Sequence, residues 1–235
     1  MMNTDFRRAF SYAFPLTVPI AVSFLFLGIS FGIYSVSLGY PWYYPTVMGT
    51  IIFAGSMEFL AVGLMLGSFL PLETFLITLT VNARHIFYGL AMLRPYGDLR
   101  GAIKAYLIYG MCDETFALNA TTTLPDDVDR KYFYFHVTWL NHVYWVAGTT
   151  AGALFGTYLS AFDLTGIEFV LTAMFVVIFL EMMLSSPNAR YGLGGLAISA
   201  AMLAAFGAKT FLIPALAGMS AMCVIAYYVK RRAET

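Results

Sequence analysis

Eight apolar runs divide this chain, at about 14–38, 44–69, 72–93, 104–123, 132–158, 166–186, 192–208 and 210–229. A helix needs about 20 apolar residues to cross a hydrocarbon layer, and most of these runs reach or exceed that length. Inside lipid, backbone N–H and C=O groups find no water, so a segment must satisfy its own, which for runs like these means helices. Composition agrees: 60% of residues are hydrophobic, 11% are charged and mean hydropathy is +0.76, against roughly 25% charged in soluble domains. The sequence therefore predicts an all-α, polytopic helical membrane protein. We expect one integral-membrane domain over 1–235, with about seven or eight transmembrane helices and one or more broken or re-entrant segments. The last two runs, separated by little more than Lys209, read as a tight helical hairpin or one broken element.

The 13 basic and 13 acidic residues give no global bias toward nucleic acid or an acidic partner. Cys112 and Cys223 lie in apolar runs without metal-ligand spacing and read as small buried hydrophobes, so no disulfide, metal or cofactor is expected. Arg7 and Arg8 precede a run too long for a signal peptide and followed by no A-x-A site, which reads as an uncleaved first span. With eight crossings and the N-terminus inside, the inside collects Arg7, Arg8, Arg130, Lys131, Arg190, Lys230, Arg231 and Arg232; the outside holds Arg94, Arg100, Lys104 and Lys209. That asymmetry predicts both termini on the cytoplasmic side. The basic loop 94–104 fits it badly and would sit better inside, as a re-entrant 72–93 would place it. Aromatic clusters at 42–44, 132–135 and 227–228 fall at span ends and read as interfacial anchors.

Small residues recur four apart at Gly28 and Gly32, at Gly63 and Gly67, and at Gly148, Gly152 and Gly156. Each strip permits close backbone approach between helices in lipid. Pro15, Pro19 and Pro214 interrupt backbone hydrogen bonding and predict kinks.

Ionisable residues inside these runs are the functional signal, because a charge at bilayer depth costs at least ~2.5–3.5 kcal/mol and persists only beside a partner or a wet cavity. Glu58, then Asn82, Arg84 and His85, then Asp113 and Glu114, and finally Glu181 occupy four separate runs. Glu58, Arg84 and Asp113 each fall near the middle of a run, so they can meet at mid-depth. One cation, Arg84, faces several acids and can pair with Glu58 or Asp113, which leaves a carboxyl free to exchange a proton; His85 titrates in a comparable range. The same set suits an amino-acid zwitterion, with Arg84 for its carboxylate and Glu58 or Asp113 for its ammonium. Asn82, His85 and Tyr88 share a broad helix face, and Arg84 and Tyr88 stand one turn apart. The alternative is a permanent structural pair between Arg84 and an acid. Asn141 and His142 read as interhelical donors, and His136 as an interfacial residue.

Asn82-Ala-Arg-x4-Gly-Leu-Ala recurs at 188–197, which reads either as a relic of an internal repeat or as a loop entering a helix. No H-E-x-x-H, G-x-S-x-G, Walker A or G-x-G-x-x-G occurs, so nothing points to an enzyme or an ATP-driven machine.

FAGSMEF at 53–59, NARHIFYGLAM at 82–92, DETFAL at 113–118 and YWVAGTTAGALFG at 144–156 together resemble the AzlC-type branched-chain amino-acid exporter family. The resemblance spans about residues 10–230. It implies export of leucine, isoleucine, valine or related apolar amino acids across a cytoplasmic membrane, with a small AzlD-type membrane subunit as partner. Many members carry Gln at the position of Glu58, which shifts the essential acid toward Asp113 and Glu114. A passive channel and a non-transporting assembly subunit are the competing readings.

Overall fold

In the computed structural model the described residues are 4–67, 70–159, 189–207 and 210–233, with scattered helical positions between 169 and 184. All regular structure among them is helical, and the chain forms two compact units, Met1–Val170 and Leu171–Thr235.

The first unit is built on two long helices, α1 (Thr4–Ser37) and α8 (Arg130–Leu159). At a rise of 1.5 Å per residue, 30 residues measure roughly 45 Å, enough to cross a bilayer with turns to spare. Among the described residues α1 is the one helix both long and apolar enough to cross on its own, and it runs unbroken through Pro15 and Pro19. The two helices are parallel: His136 donates to the Phe6 carbonyl, Thr17 meets Tyr144, and further along Gly28 faces Gly148 and Gly32 faces Gly152. Here the expected glycine strips do their packing. A Cβ on Gly32 would strike the backbone of Thr149, Gly152 and Ala153, and one on Gly152 would strike the backbone of Ile29. Among the described residues the Gly63 and Gly67 strip meets no other helix's backbone: α3 ends at Leu64, and the nearest atom to a Cβ on Gly63 would be the Tyr34 hydroxyl of α1 at 3.8 Å.

Three of the expected spans are each split in two. The run 44–69 becomes α2 (Tyr43–Ile51) and α3 (Gly55–Leu64). Going down α2, Thr46 bonds Thr150, Gly49 faces Trp145, and Phe53 at the turn packs on His142 with ring centroids 4.6 Å apart. Coming back along α3, Glu58 meets Trp145, Phe59 stacks on Tyr34 and lies tilted against Phe31, and the Tyr40 hydroxyl donates to the Val62 carbonyl. This run is therefore a re-entrant hairpin that enters and leaves at the C-terminal ends of α1 and α8. At its tip Phe53 takes φ 46°, a left-handed conformation that for a bulky residue stores roughly 1–3 kcal/mol of strain.

The run 72–93 becomes α4 (Pro71–Asn82) and α5 (Arg84–Met92). Ala83 between them keeps helical angles, φ −54° and ψ −32°, so the element continues in one direction. It ends beside the starts of α1 and α8, where Met92 and Tyr96 join a buried cluster with Ala9, Ala13, Phe133 and Tyr134. The segment 72–93 passes through the unit and is not the re-entrant one.

The run 104–123 becomes α6 (Gly101–Tyr109) and α7 (Asp113–Thr121), broken at Gly110 and by an extended Cys112. Tyr106 and Tyr109 climb to His142, and on the return Asn119 donates to Tyr96 and Tyr12 donates to the Thr123 carbonyl. This is a second re-entrant hairpin, entering from the end opposite to the first. His136, expected near the interface, is 2% exposed against α1.

The second unit contains α9 (Ala189–Phe206) and α10 (Leu212–Ala233). Gly207, at φ 72°, closes α9 with a left-handed cap. Gly194 faces Met222 and Gly218 faces Ile198, an antiparallel order, so these two runs form the tight hairpin.

Candidate functional site

The two hairpin tips meet partway along the first unit, at an exposed hydrogen bond in which Tyr109 at the end of α6 donates its hydroxyl to the Thr50 carbonyl near the end of α2. Helices broken there bring their polar ends to one place. Arg84 opens α5, Asp113 and Glu114 lie in the first turn of α7, and Glu58 lies in the first turn of α3. Acids in a first turn are favoured by the positive end of the helix dipole; Arg84 is not, and its placement needs a counter-charge.

That counter-charge is Asp113. Arg84 Nη1 lies 3.1 Å from Asp113 Oδ2, and the Tyr88 hydroxyl donates to Asp113 Oδ1 at 2.9 Å, so each carboxylate oxygen has its own partner. Arg84 Nη2 reaches across to Ser56 Oγ of the other hairpin at 3.4 Å, while its buried Nε has no partner among the described residues. The Tyr88 ring stacks on Phe116 with centroids 4.4 Å apart, and His85 meets Tyr88 edge-on. His85 Nδ1 donates to the carbonyl of Asn82, the last residue of α4. Glu114 is half-buried in the turn it shares with Asp113.

Of the two acids that sequence reasoning offered to Arg84, Glu58 takes another role. It is fully buried, at 0% exposure, and its Oε1 accepts the Ala54 N–H at 2.8 Å. Both of its oxygens also accept from Trp145 Nε1, at 3.1 and 3.3 Å. Glu58 thus fastens the first tip to α8. One turn earlier on α8, wholly buried Asn141 donates to Thr115 Oγ1 of α7 at 3.0 Å and fastens the second tip. Its own Oδ1 has no hydrogen-bond partner among the described residues.

The structure therefore joins Arg84, Asp113 and Tyr88 directly, sets Asn82, His85 and Glu114 around them, and holds Glu58 behind the neighbouring tip. Glu181 and Asn188 lie outside the described residues. Arg190, from the echoed motif, stands in the first turn of α9 as Arg84 does in α5, exposed and over the ring of Tyr191. Ser56, Tyr109 and Trp145 belong to the tip junction and were not singled out from sequence. For Trp145 a signal existed, since an indole inside a run is out of place where tryptophans favour span ends. Among the described residues no cluster of His, Cys, Asp and Glu could hold a metal ion.

The chain that carries this site, a guanidinium bracketed by a carboxylate and hydroxyls where helices end, has relatives in sequence. The family model described as AzlC protein matches residues 19–159. The branched-chain amino acid transport protein AzlC of Bacillus subtilis (strain 168) is 50% identical over 208 residues, covering 88% of this chain and 81% of that protein. An uncharacterized membrane protein of Haemophilus influenzae is 45% identical over 217 residues, 92% and 88% of the two chains. Another from Helicobacter pylori (strain 26695) is 36% identical over 212 residues, 90% and 92%. No solved structure matches the chain. The matched region contains both hairpins, the α4–α5 element and all of α8, and on these grounds the chain belongs to the AzlC family.

Proposed function

We propose that this protein is a secondary transporter that exports branched-chain or other apolar amino acids across the cytoplasmic membrane, coupled to protons and working as the large subunit beside a small AzlD-type membrane protein. The observation that carries the reading is the Arg84–Asp113–Tyr88 constellation at the meeting of two broken-helix hairpins. An amino acid is a zwitterion whose two charges match that pair. Its carboxylate takes Arg84 in the place of Asp113, and its ammonium takes the released Asp113 carboxylate together with the Tyr88 hydroxyl. Phe116 and its neighbours supply an apolar wall for the side chain. Glu114 and Glu58 are the acids left to carry a proton, and the bilayer interior between hairpins is where alternating exposure acts. The relative from Bacillus subtilis, named as a branched-chain amino acid transport protein, supports the substrate class.

The hairpins also support a sided arrangement. With 44–69 and 104–123 both re-entrant, Arg7, Arg8, Arg94, Arg100, Lys104, Arg130 and Lys131 gather at the end of the unit that holds the N-terminus, while 38–42 and 65–67 at the other end hold no Lys or Arg. That asymmetry supports a cytoplasmic N-terminus in a multi-pass protein and removes the misfit of the loop 94–104.

One observation favours a second reading. The same ion pair ties α5 to α7, as a purely structural or assembly role requires. Counterflow separates the two: purified protein in liposomes loaded with unlabelled leucine accumulates labelled leucine transiently if it is a carrier. Absence of that overshoot, with folded protein, rejects the proposal, as does an Arg84→Ala variant that exchanges leucine normally.

A further inference from the structure

We infer that α2–α3 and α6–α7 are the two gates of the transport cycle, one for each membrane face, and that the Tyr109 hydroxyl on the Thr50 carbonyl is the tie that holds them closed on each other. The inference rests on the carrier reading above and adds to it the moving parts and a positioning residue. The topology is the first ground. Each hairpin follows a through-going helix and re-enters from the face where that helix leaves: α1 precedes α2–α3, and α4–α5, running the opposite way, precedes α6–α7. Two such units are related by inversion, an arrangement that gives a carrier equivalent access from both sides.

The second ground is where the site groups come from. Ser56 on one tip and Asp113 on the other both hold Arg84. Lifting either tip uncovers the guanidinium toward that hairpin's own face and leaves the other face closed.

The third ground is what can move. The seam between α1 and α8 is packed backbone to backbone at Gly32 and Gly152, and has no room to slide. Among the described residues the tips touch each other through one hydrogen bond and the rings of Phe53 and Tyr109, centroids 6.5 Å apart, and each is held to α8 by side-chain hydrogen bonds, Trp145 to Glu58 and Asn141 to Thr115, with no backbone-to-backbone packing of the Gly32–Gly152 kind. The last carbonyls of a helix lack intrahelical partners, and the Tyr109 hydroxyl supplies the Thr50 carbonyl with a donor from the opposite tip, beside the His142 ring of α8. The left-handed Phe53 stores strain at the same tip, which favours a tip with a second arrangement.

The test joins the tips covalently. In a Cys112→Ser, Cys223→Ser background, Thr50→Cys and Tyr109→Cys are bridged with a short bifunctional methanethiosulfonate, and leucine exchange is measured in liposomes before bridging, after it and after reduction. The expected result is a loss of at least tenfold on bridging, recovered with reductant; exchange at the unbridged rate after bridging overturns the gate assignment. If the reduced protein and its parent both fail to exchange leucine, the carrier reading has failed instead, and a second measurement still judges the tie. Tyr109→Phe in a Cys223→Ser background removes only the hydroxyl. Losing one ordinary hydrogen bond shifts a two-state balance about fivefold, so an impermeant thiol reagent applied to inverted vesicles should label Cys112, at the second tip, about five times faster. An unchanged labelling rate overturns the tie.

Discussion

Exchanging the charges of Arg84 and Asp113 separates a substrate site from a structural tie. The two side chains are 39% and 29% exposed, so their pair lies between a screened surface pair at ~0.5 kcal/mol and a charge-assisted hydrogen bond at up to ~3 kcal/mol, or about 1–2 kcal/mol. If the pair only ties α5 to α7, Arg84→Asp alone costs at least that much stability, since it also sets two carboxylates together, and adding Asp113→Arg returns it along with activity. If Arg84 also holds the substrate carboxylate, a bidentate charge-assisted contact is lost as well, worth about 2–4 kcal/mol or roughly 30- to 1,000-fold in exchange. The swap cannot return that part, because an arginine at 113 would sit on a hairpin tip facing a different set of groups. Thermal unfolding in detergent and leucine counterflow in liposomes are measured on both single variants and the swap. We expect stability to recover to within about 0.5 kcal/mol while exchange stays at least ~30-fold down. A swap that restores exchange to near the unsubstituted rate refutes the substrate role.

Other outcomes follow from the packing. Gly32→Ala drives a methyl into the α8 backbone; overpacking of ~1–3 kcal/mol should lower the unfolding midpoint by roughly 3–10 °C, whereas Gly63→Ala, whose Cβ meets only the Tyr34 hydroxyl at 3.8 Å, should leave it within about 1 °C. Trp145→Phe removes the N–H that Glu58 accepts and should cost about 1.5–3 kcal/mol; in a Glu58→Gln background the loss should shrink, and an undiminished loss would show that the indole acts through packing alone. Asp98→Cys in a cysteine-free background should react with impermeant thiol reagents from the cytoplasmic face of the membrane, and reaction from the outer face would overturn the hairpin topology.

Much of the site was legible before any coordinates. Charges in lipid must converge on partners, so a pairing of Arg84 with an acid could be read from depth alone; the structure pairs it with Asp113, and Glu58 bonds Ala54 and Trp145 instead. The glycine strips of 28–32 and 148–156 announced a close helix pair for a similar reason, since only glycine lets two backbones touch. Partner choice was not legible, because Arg84 could reach either acid and the decision lay in Ala54 at the turn of Glu58's own run and in Trp145 of α8, which together satisfy Glu58. The re-entrant hairpins were hidden by length: two half-helices of 9 and 10 residues and their turn fill the same apolar run as one crossing helix. What betrayed them was charge. Arg94, Arg100 and Lys104 sat on the wrong side of an eight-crossing count, and turning 44–69 back on itself moves all three.

The central claim is that Arg84 and Asp113 together read both ends of an amino acid. Equilibrium binding of labelled leucine to the purified protein, competed by 3-methylbutylamine, which lacks the carboxylate, and by 4-methylpentanoate, which lacks the ammonium, tests it directly. Leucine should bind, and each analogue should compete at least ~30-fold more weakly, the loss expected of one charge-assisted contact. An analogue missing either charge that competes as well as leucine itself would contradict the account.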